Sequence, residues 1–376
     1  MLRLRFGLGF GNFSFMLPID DTQLTVLPAP ARRQTGIFFD ALSYSAFPHV
    51  VSLGGKELLL AFRQAPCQAV IRHTHPRSVI TVMRSYVLGE SWDIANATQL
   101  GAGGGQEFGM LYLGNGVVCG ALAKHGVAPM AESKRAGVPT HPHEYPFGRN
   151  GGYWALSRNY GFTWQIEDFR VVDLAAMPCS APIRLHDGTL LLAAYGIAGG
   201  ATVQSSLLYR STDEGNTWSQ PVVIAAGLAA ERTYCEPGIL ELAPGHLLCL
   251  HRTEDHKVGP VGTFWCNTSV DGGRTWDAPK DTGILSGACP RLLKVADGRV
   301  LLTFGRRRAP FGIRAMLTSD GGKTWGDTAW VLRELPNWNQ GYSSSVQLDD
   351  GRIFTVCYGE NEAGITGIIG TWWCLP

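Results

Sequence analysis

Four segments of this chain repeat one template. They read SRNYGFTW from Ser157, STDEGNTW from Ser211, SVDGGRTW from Ser269 and TSDGGKTW from Thr318. A degenerate fifth, SYVLGESW, starts at Ser85. The Asp side chains (Asp213, Asp271, Asp320) can accept backbone N–H bonds and lock a turn. The Gly supplies a positive φ that other residues resist. The Trp is a large apolar plug suited to a slot between sheets. Asn159 replaces the Asp conservatively; Val87 does not, which predicts a looser turn there. Regular repetition of such a unit restricts the chain to a repeat architecture.

A second repeat runs out of phase with the first. Apolar hairpins separated by Gly-containing turns start at Phe47, Phe108, Ala181, Glu236, Cys289 and Tyr342. Each is strand, tight turn, apolar strand. Every hairpin but the last is followed by a third strand running into one of the Trp-ending turns. Six hairpins predict an all-β, six-bladed β-propeller. The last blade, ending ITGIIGTWW, lacks its own outer strand, and a strand near Thr22–Pro28 is expected to close it. Closure of that kind removes free sheet edges. The expected organisation is an N-terminal extension over 1–21 and one propeller domain over 22–376. The tryptophans 164, 218, 276 and 325 are expected to be buried between blades.

Composition narrows the function classes. With 17% charged and 45% hydrophobic residues, the chain is globular rather than disordered. A formal charge of +1 gives no global field toward nucleic acid or a membrane surface. No apolar stretch approaches the ~20 residues of a membrane span. The apolar run after Arg3 and Arg5 is interrupted by Gly7, Gly9, Gly11 and Asn12, so it does not read as a signal peptide. The nine cysteines form no CxxC pair and read as reduced, packed thiols, which slightly favours the cytoplasm over a secreted or periplasmic location. His141 and His143 resemble metal ligands in type, but no third ligand stands at suitable spacing, and no metal or cofactor is expected. The oligomeric state is not readable from the sequence.

Propeller geometry locates the chemistry. First strands line the axis and start at one mouth, so Glu236 and Tyr342 should share a ring, two blades apart. Loops after the second strands return to that mouth. They carry Arg63, His73, His75 and Arg77; His141, His143 and Glu144; Arg252, Glu254 and Asp255; Arg306 to Arg308; and Glu360. The other mouth receives only tight turns. A ligand site therefore belongs at the polar end.

The Trp-ending template is similar to the Asp-box, or BNR repeat, and the chain resembles the sialidase (neuraminidase) superfamily of β-propellers. That resemblance implies a glycoside hydrolase in which arginines clamp a substrate carboxylate, a Tyr is nucleophile, a Glu is its base and an Asp is general acid. By position, Tyr342 in GYSSSVQLDDG resembles the nucleophile and Glu236 in CEPGI its base. Arg252 in LHRTED and Arg314 in GIRAMLTSDGG resemble two of the arginines. Neighbouring arginines are expected to lower the Tyr342 pKa. The chain departs from the pattern twice. Ala46-Phe47-Pro48 stands where the family has its first arginine, and VIRHTHPRSVITVMRS contains no acid Asp. Arg63, Arg77 and Arg308 are candidate replacement cations, and His75 a candidate acid. The implied partner is an acidic oligosaccharide or glycoconjugate bearing sialic or uronic acid. Elimination next to a uronate, or glycan binding without catalysis, are the alternatives. Glu236 with Arg252 also suits a merely structural ion pair.

Overall fold

A computed structural model describes residues 24–67, 75–101, 103–127, 147–164, 170–198, 201–255, 262–285 and 287–376. These form six sheets, antiparallel except for one added edge strand, that pack in a closed ring, a six-bladed propeller with no helix among the described residues. Blade 1 is Ser43–Gly54, Glu57–Pro66, Val79–Ser85 and Asp93–Leu100. Blade 2 is Gly105–Gly114, Val117–Val127, Phe147–Ser157 and Arg170–Asp173. Blade 3 has the short inner pieces Ala176–Pro178 and Ile183–Arg184, then Leu190–Gly196, Ser205–Ser211 and Val222–Ala225. Blade 4 is Arg232–Ala243, His246–Asp255, Thr263–Ser269 and Lys280–Leu285. Blade 5 is Arg291–Lys294, Val300–Arg306, Gly312–Thr318 and Thr328–Glu334; blade 6 is Gly341–Gln347, Ile353–Glu360 and Thr366–Trp373.

The second strand of each blade is covered by neighbouring blades on both faces, so it reads as an unbroken apolar run. Leu58 to Phe62, Leu190 to Ala194 and Leu247 to Leu250 are all buried. The core is accordingly a set of wedges between blades rather than one central cluster.

Closure differs from the expectation. Thr25–Pro28 pairs in parallel with Thr328–Glu334 and extends blade 5. The strand that completes blade 6 is Arg33–Phe38, antiparallel to Thr366–Trp373. Thr25–Pro28 is exposed along its whole length, as an added edge strand should be. Arg33–Phe38 lays Ile37 and Phe38 on the blade 6 core and sets the Arg33 guanidinium 3.9 Å from the Trp372 ring centre. Arg33, Gln34, Thr35 and Gly36 hide that apolar content in the sequence. The expected extension over 1–21 lies outside the described residues.

The Trp-ending turns obey one hydrogen-bond plan. Around Asp271, Ser269 Oγ donates to the carboxylate at 2.8 Å, Thr275 N at 2.9 Å and Thr275 Oγ1 at 2.6 Å, while Gly273 N donates to Ser269 Oγ at 2.8 Å. Gly273 takes a φ of 87° and lies against Leu247 of blade 4 and Leu208 of blade 3, where a Cβ would collide. Asp213, Asp320 and Asn159 repeat the plan. At Val87 only the serine-to-backbone bonds survive, Gly89 N to Ser85 Oγ at 2.8 Å among them. Trp164 is 7% exposed, whereas Trp218, Trp276 and Trp325 are half-buried, less sheltered than expected. Each bridges two blades: Trp164 touches the core of blades 1 and 2, and Trp325 that of blades 4 and 5. The turns sit beside the hairpin tips, as Gly272 N to Gly245 O at 2.8 Å and Tyr160 N to Gly116 O at 2.6 Å record, at the end opposite the polar mouth.

Candidate functional site

Three inner strands begin in the same unusual way. Phe47, Glu236 and Tyr342 adopt φ values of 55°, 45° and 48°. That left-handed region is uncommon for non-glycine residues and costs of order 1–3 kcal/mol each. In all three the pairing register slips by one residue there, between Ala46 and His49, Cys235 and Gly238, and Gly341 and Ser344. Such a bulge re-aims a side chain. Opposite the residue before each bulge stand Arg63, Arg252 and Tyr358, equivalent positions of blades 1, 4 and 6.

The bulges turn Glu236 and Tyr342 toward each other. Tyr342 donates its hydroxyl hydrogen to Glu236 Oε1 at 2.5 Å, and Arg252 Nη1 donates to the same oxygen at 2.8 Å. Glu236 and Tyr342 are both buried, and Glu236 Oε2 has no hydrogen-bond partner among the described residues. Arg252 Nη2 continues to Glu254 Oε1 at 3.3 Å. Burial pushes the Glu236 carboxyl up, but Arg252, the Tyr342 hydroxyl and Arg307 together hold it below the usual carboxylate range. Burial, and then the Glu236 charge, push Tyr342 well above its ordinary pKa. The expectation of a lowered Tyr342 pKa is thus reversed: Arg252 and Arg307 act in that direction and are outweighed.

Aromatic rings and cations enclose the pair. The Phe47 ring meets Tyr342 edge-on at 4.7 Å, and Tyr358 at 5.4 Å. Arg307 lies 5.5 Å from the Tyr342 ring centre, donates from Nη2 to Tyr358 Oη at 2.8 Å and from Nε to Gln340 O at 3.0 Å. Tyr44 stacks edge-on against Tyr358 and lies beneath Arg63, whose guanidinium is 5.6 Å from its ring centre. On the axis below, Arg291 reaches Ser180 Oγ at 2.7 Å and Glu107 Oε2 at 3.6 Å, joining blade 5 to blades 3 and 2. Burial pushes the Glu107 carboxyl well above its ordinary range; Arg291 opposes this, and Cys289 and Glu236 add to it.

The other expected residues fall in different places. Arg314 is buried and donates from Nη2 to Pro310 O at 3.2 Å, the same oxygen that Arg306 Nη1 reaches at 3.0 Å. The cations described next to Tyr342 are Arg252 and Arg307. Arg77 and Arg308 are exposed. His75 is buried and accepts a hydrogen bond at Nδ1 from Arg77 N at 3.0 Å, so its neutral ring carries the proton on Nε2. His73, His141, His143 and Glu144 lie outside the described residues. Among the described residues no three metal-ligating side chains come together.

Sequence reasoning missed Tyr358, Tyr44, Glu107 and Arg291, and put Arg307 at the mouth only as one of the run Arg306 to Arg308. Aligning the second strands LLAFR, LCLHR and FTVCY would have shown Tyr358 in the slot of Arg63 and Arg252. Glu107 stands one residue before Phe108, which was taken for the ring position. Within the Arg306–Arg308 run nothing in the residue types distinguishes the middle one.

Residues 143–355 match the family described as a BNR repeat-like domain. The chain belongs to that family. The matched span contains Glu236, Arg252, Arg314 and Tyr342 but stops short of Phe47. No curated protein matches this BNR repeat-like chain. Solved structures share its fold. A protein of unknown function from Dyadobacter fermentans is 24% identical, with a TM-score of 0.78 over 92% of this chain and 100% of that one. The NanB sialidase of Streptococcus pneumoniae, as its K499G mutant, is 13% identical, with a TM-score of 0.61 over 92% of this chain and 70% of that one. An alpha-L-arabinanase from Penicillium chrysogenum is 12% identical, with a TM-score of 0.61 over 91% and 98%. The sialidase-like propeller is therefore common to these chains, and no helix among the described residues is long and apolar enough to cross a membrane.

Proposed function

We propose that this chain is a glycoside hydrolase acting on an acidic glycan, with Tyr342 as nucleophile and Glu236 as its base. The observation that carries this is the buried 2.5 Å hydrogen bond from Tyr342 to a carboxylate held ionised by Arg252. A Tyr whose own pKa is high stays neutral until attack, and a neutral nucleophile is not repelled by an anionic sugar. As Tyr342 Oη bonds to the anomeric carbon, its proton passes to Glu236 and the bond to the leaving oxygen breaks. Water then attacks the anomeric carbon and the tyrosyl–sugar bond breaks; Glu236 returns its proton to the phenolate, and the water's proton goes to the group that protonated the leaving oxygen. Arg252 and Arg307 are the cations beside the Tyr and suit a sialic or uronic carboxylate; Arg314, tied to Pro310, fits that role less well. For the proton on the leaving oxygen, Glu107 joins His75 as a candidate, its carboxyl pushed well above the ordinary range by burial. Phe47, in place of the family's first arginine, suits a smaller cationic clamp, of two arginines. The test is a panel of aryl glycosides of sialic and uronic acids. Release of the phenol without a near-ultraviolet unsaturated product supports hydrolysis. Such a product points to elimination, and saturable binding with no product to a glycan-binding propeller.

A further inference from the structure

Ten of the eleven tryptophans are buried or half-buried; Trp338 alone is 57% exposed. A single exposed apolar side chain needs no explanation by itself. Two features set Trp338 apart. The first is its place. It lies in the connection between Thr328–Glu334 and Gly341–Gln347, four residues before Tyr342. Four residues span at most about 14 Å, so the backbone of Trp338 lies within that reach of Tyr342.

The second is the rigidity of its support. The next two residues, Asn339 and Gln340, are 2% and 0% exposed. Asn339 Nδ2 donates to Glu360 Oε1 and Thr366 Oγ1, both at 3.0 Å, and its Oδ1 accepts from Tyr44 Oη at 2.9 Å. Gln340 Nε2 donates to Arg306 O at 2.7 Å, and Arg307 Nε to Gln340 O at 3.0 Å. On the other side, Asn337 Nδ2 donates to Glu360 Oε2 at 2.7 Å, and Asn339 N returns to Asn337 Oδ1 at 2.8 Å. The connection is thus tied to the same Tyr44 and Arg307 that surround Tyr342, yet the indole itself is left facing solvent. A flat, rigid aromatic face held in that way is preorganised to stack a ring.

We infer that Trp338 is a stacking platform for the sugar unit attached to the acidic residue bound at Arg252 and Arg307. The occupant is a pyranose that offers an apolar C–H face to the indole. The platform rests on the proposed glycan reading. It makes Trp338 a determinant of which glycan is selected, acting on affinity for the chain beyond the first sugar and not on bond cleavage.

The test uses the full chain carrying Glu236→Gln, so that bound glycan is not turned over. Titration calorimetry compares an acidic trisaccharide with its terminal acidic monosaccharide, with and without Trp338→Ala. The expected result is that Trp338→Ala lowers the trisaccharide-to-monosaccharide affinity ratio about tenfold, that Trp338→Phe restores part of it, and that Tm is unchanged. An unchanged ratio, with both ligands still binding, overturns the platform and leaves the glycan reading standing. Binding of neither ligand, before Trp338 is altered, overturns the glycan reading and the platform together.

Discussion

The two ends of the propeller put left-handed backbone to different uses. At the hairpin-tip end, the turns share one hydrogen-bond plan and take positive φ at two adjacent residues: two glycines in Gly272–Gly273 and Gly321–Gly322, and Leu88, Tyr160 or Glu214 followed by a glycine in the other three. At the polar mouth, three bulky residues (Phe47, Glu236, Tyr342) take a conformation that glycine would adopt without strain. The first arrangement recurs because any blade can use it. The second places a different side chain in each of blades 1, 4 and 6, and only Glu236 and Tyr342 form a hydrogen-bonded pair across the mouth. The shared turn holds the blades together; a bulge that recurs in three blades with unlike side chains marks where chemistry is organised.

Four changes sharpen or break this contrast. Glu236→Gln removes the base but keeps the shape, and should lower turnover of a responsive acidic glycoside by ~10³-fold with little change in Tm. Steady-state kinetics and a melting curve check it; a large stability loss with turnover retained would turn the mouth into a structural feature. At the other end, Trp164→Ala should destabilise by about 3–5 kcal/mol in denaturant titration, the range for large buried aromatics. Acid distinguishes the ends next. Burial holds His251 down at about 4 and His49 at about 3, near the bulges of blades 4 and 1. Unfolded, both take a proton near pH 6.5, so between about 4 and 6.5 the unfolded chain binds more protons and stability falls as pH falls. His251 alone accounts for roughly 3 kcal/mol across that window, and His251→Gln should flatten the slope of Tm against pH. The Asp-box carboxylates do not take part: hydrogen bonds from Thr217 and Thr324 hold Asp213 and Asp320 at about 2. Smallest is Val87→Asp, which restores the missing acceptor in the degenerate turn. It should stabilise by about 1 kcal/mol, the worth of a net hydrogen bond; no gain would mean that neighbouring packing, rather than the turn, sets stability there.

What the sequence disclosed divides along the same line. The blade count and the Trp-ending turns were legible because each is local and repeated. The closing strand was misplaced by a few residues, because Thr25–Pro28 and Arg33–Phe38 are both short and only tertiary pairing separates them. The meeting of Glu236 with Tyr342 was foreseen from the hairpin register, yet the bulges that aim them were invisible, since nothing in the residue types at 47, 236 and 342 signals a left-handed backbone. Arg307 and Glu107 escaped for a related reason: their importance depends on which way a side chain turns at the end of a strand, and one residue of slip changes that. Arg314 was chosen by motif position alone, and it donates to Pro310 O.

The central claim is that Tyr342 attacks the sugar with Glu236 taking its proton, and Tyr342→Phe tests it most directly. The substitution removes one oxygen while keeping the ring contacts with Phe47 and Tyr358. The measurement is turnover, on an aryl glycoside that the unaltered protein cleaves, at matched Tm and circular dichroism. The account predicts a folded protein without detectable turnover. A folded Tyr342→Phe protein that still cleaves the glycoside at a comparable rate would contradict it.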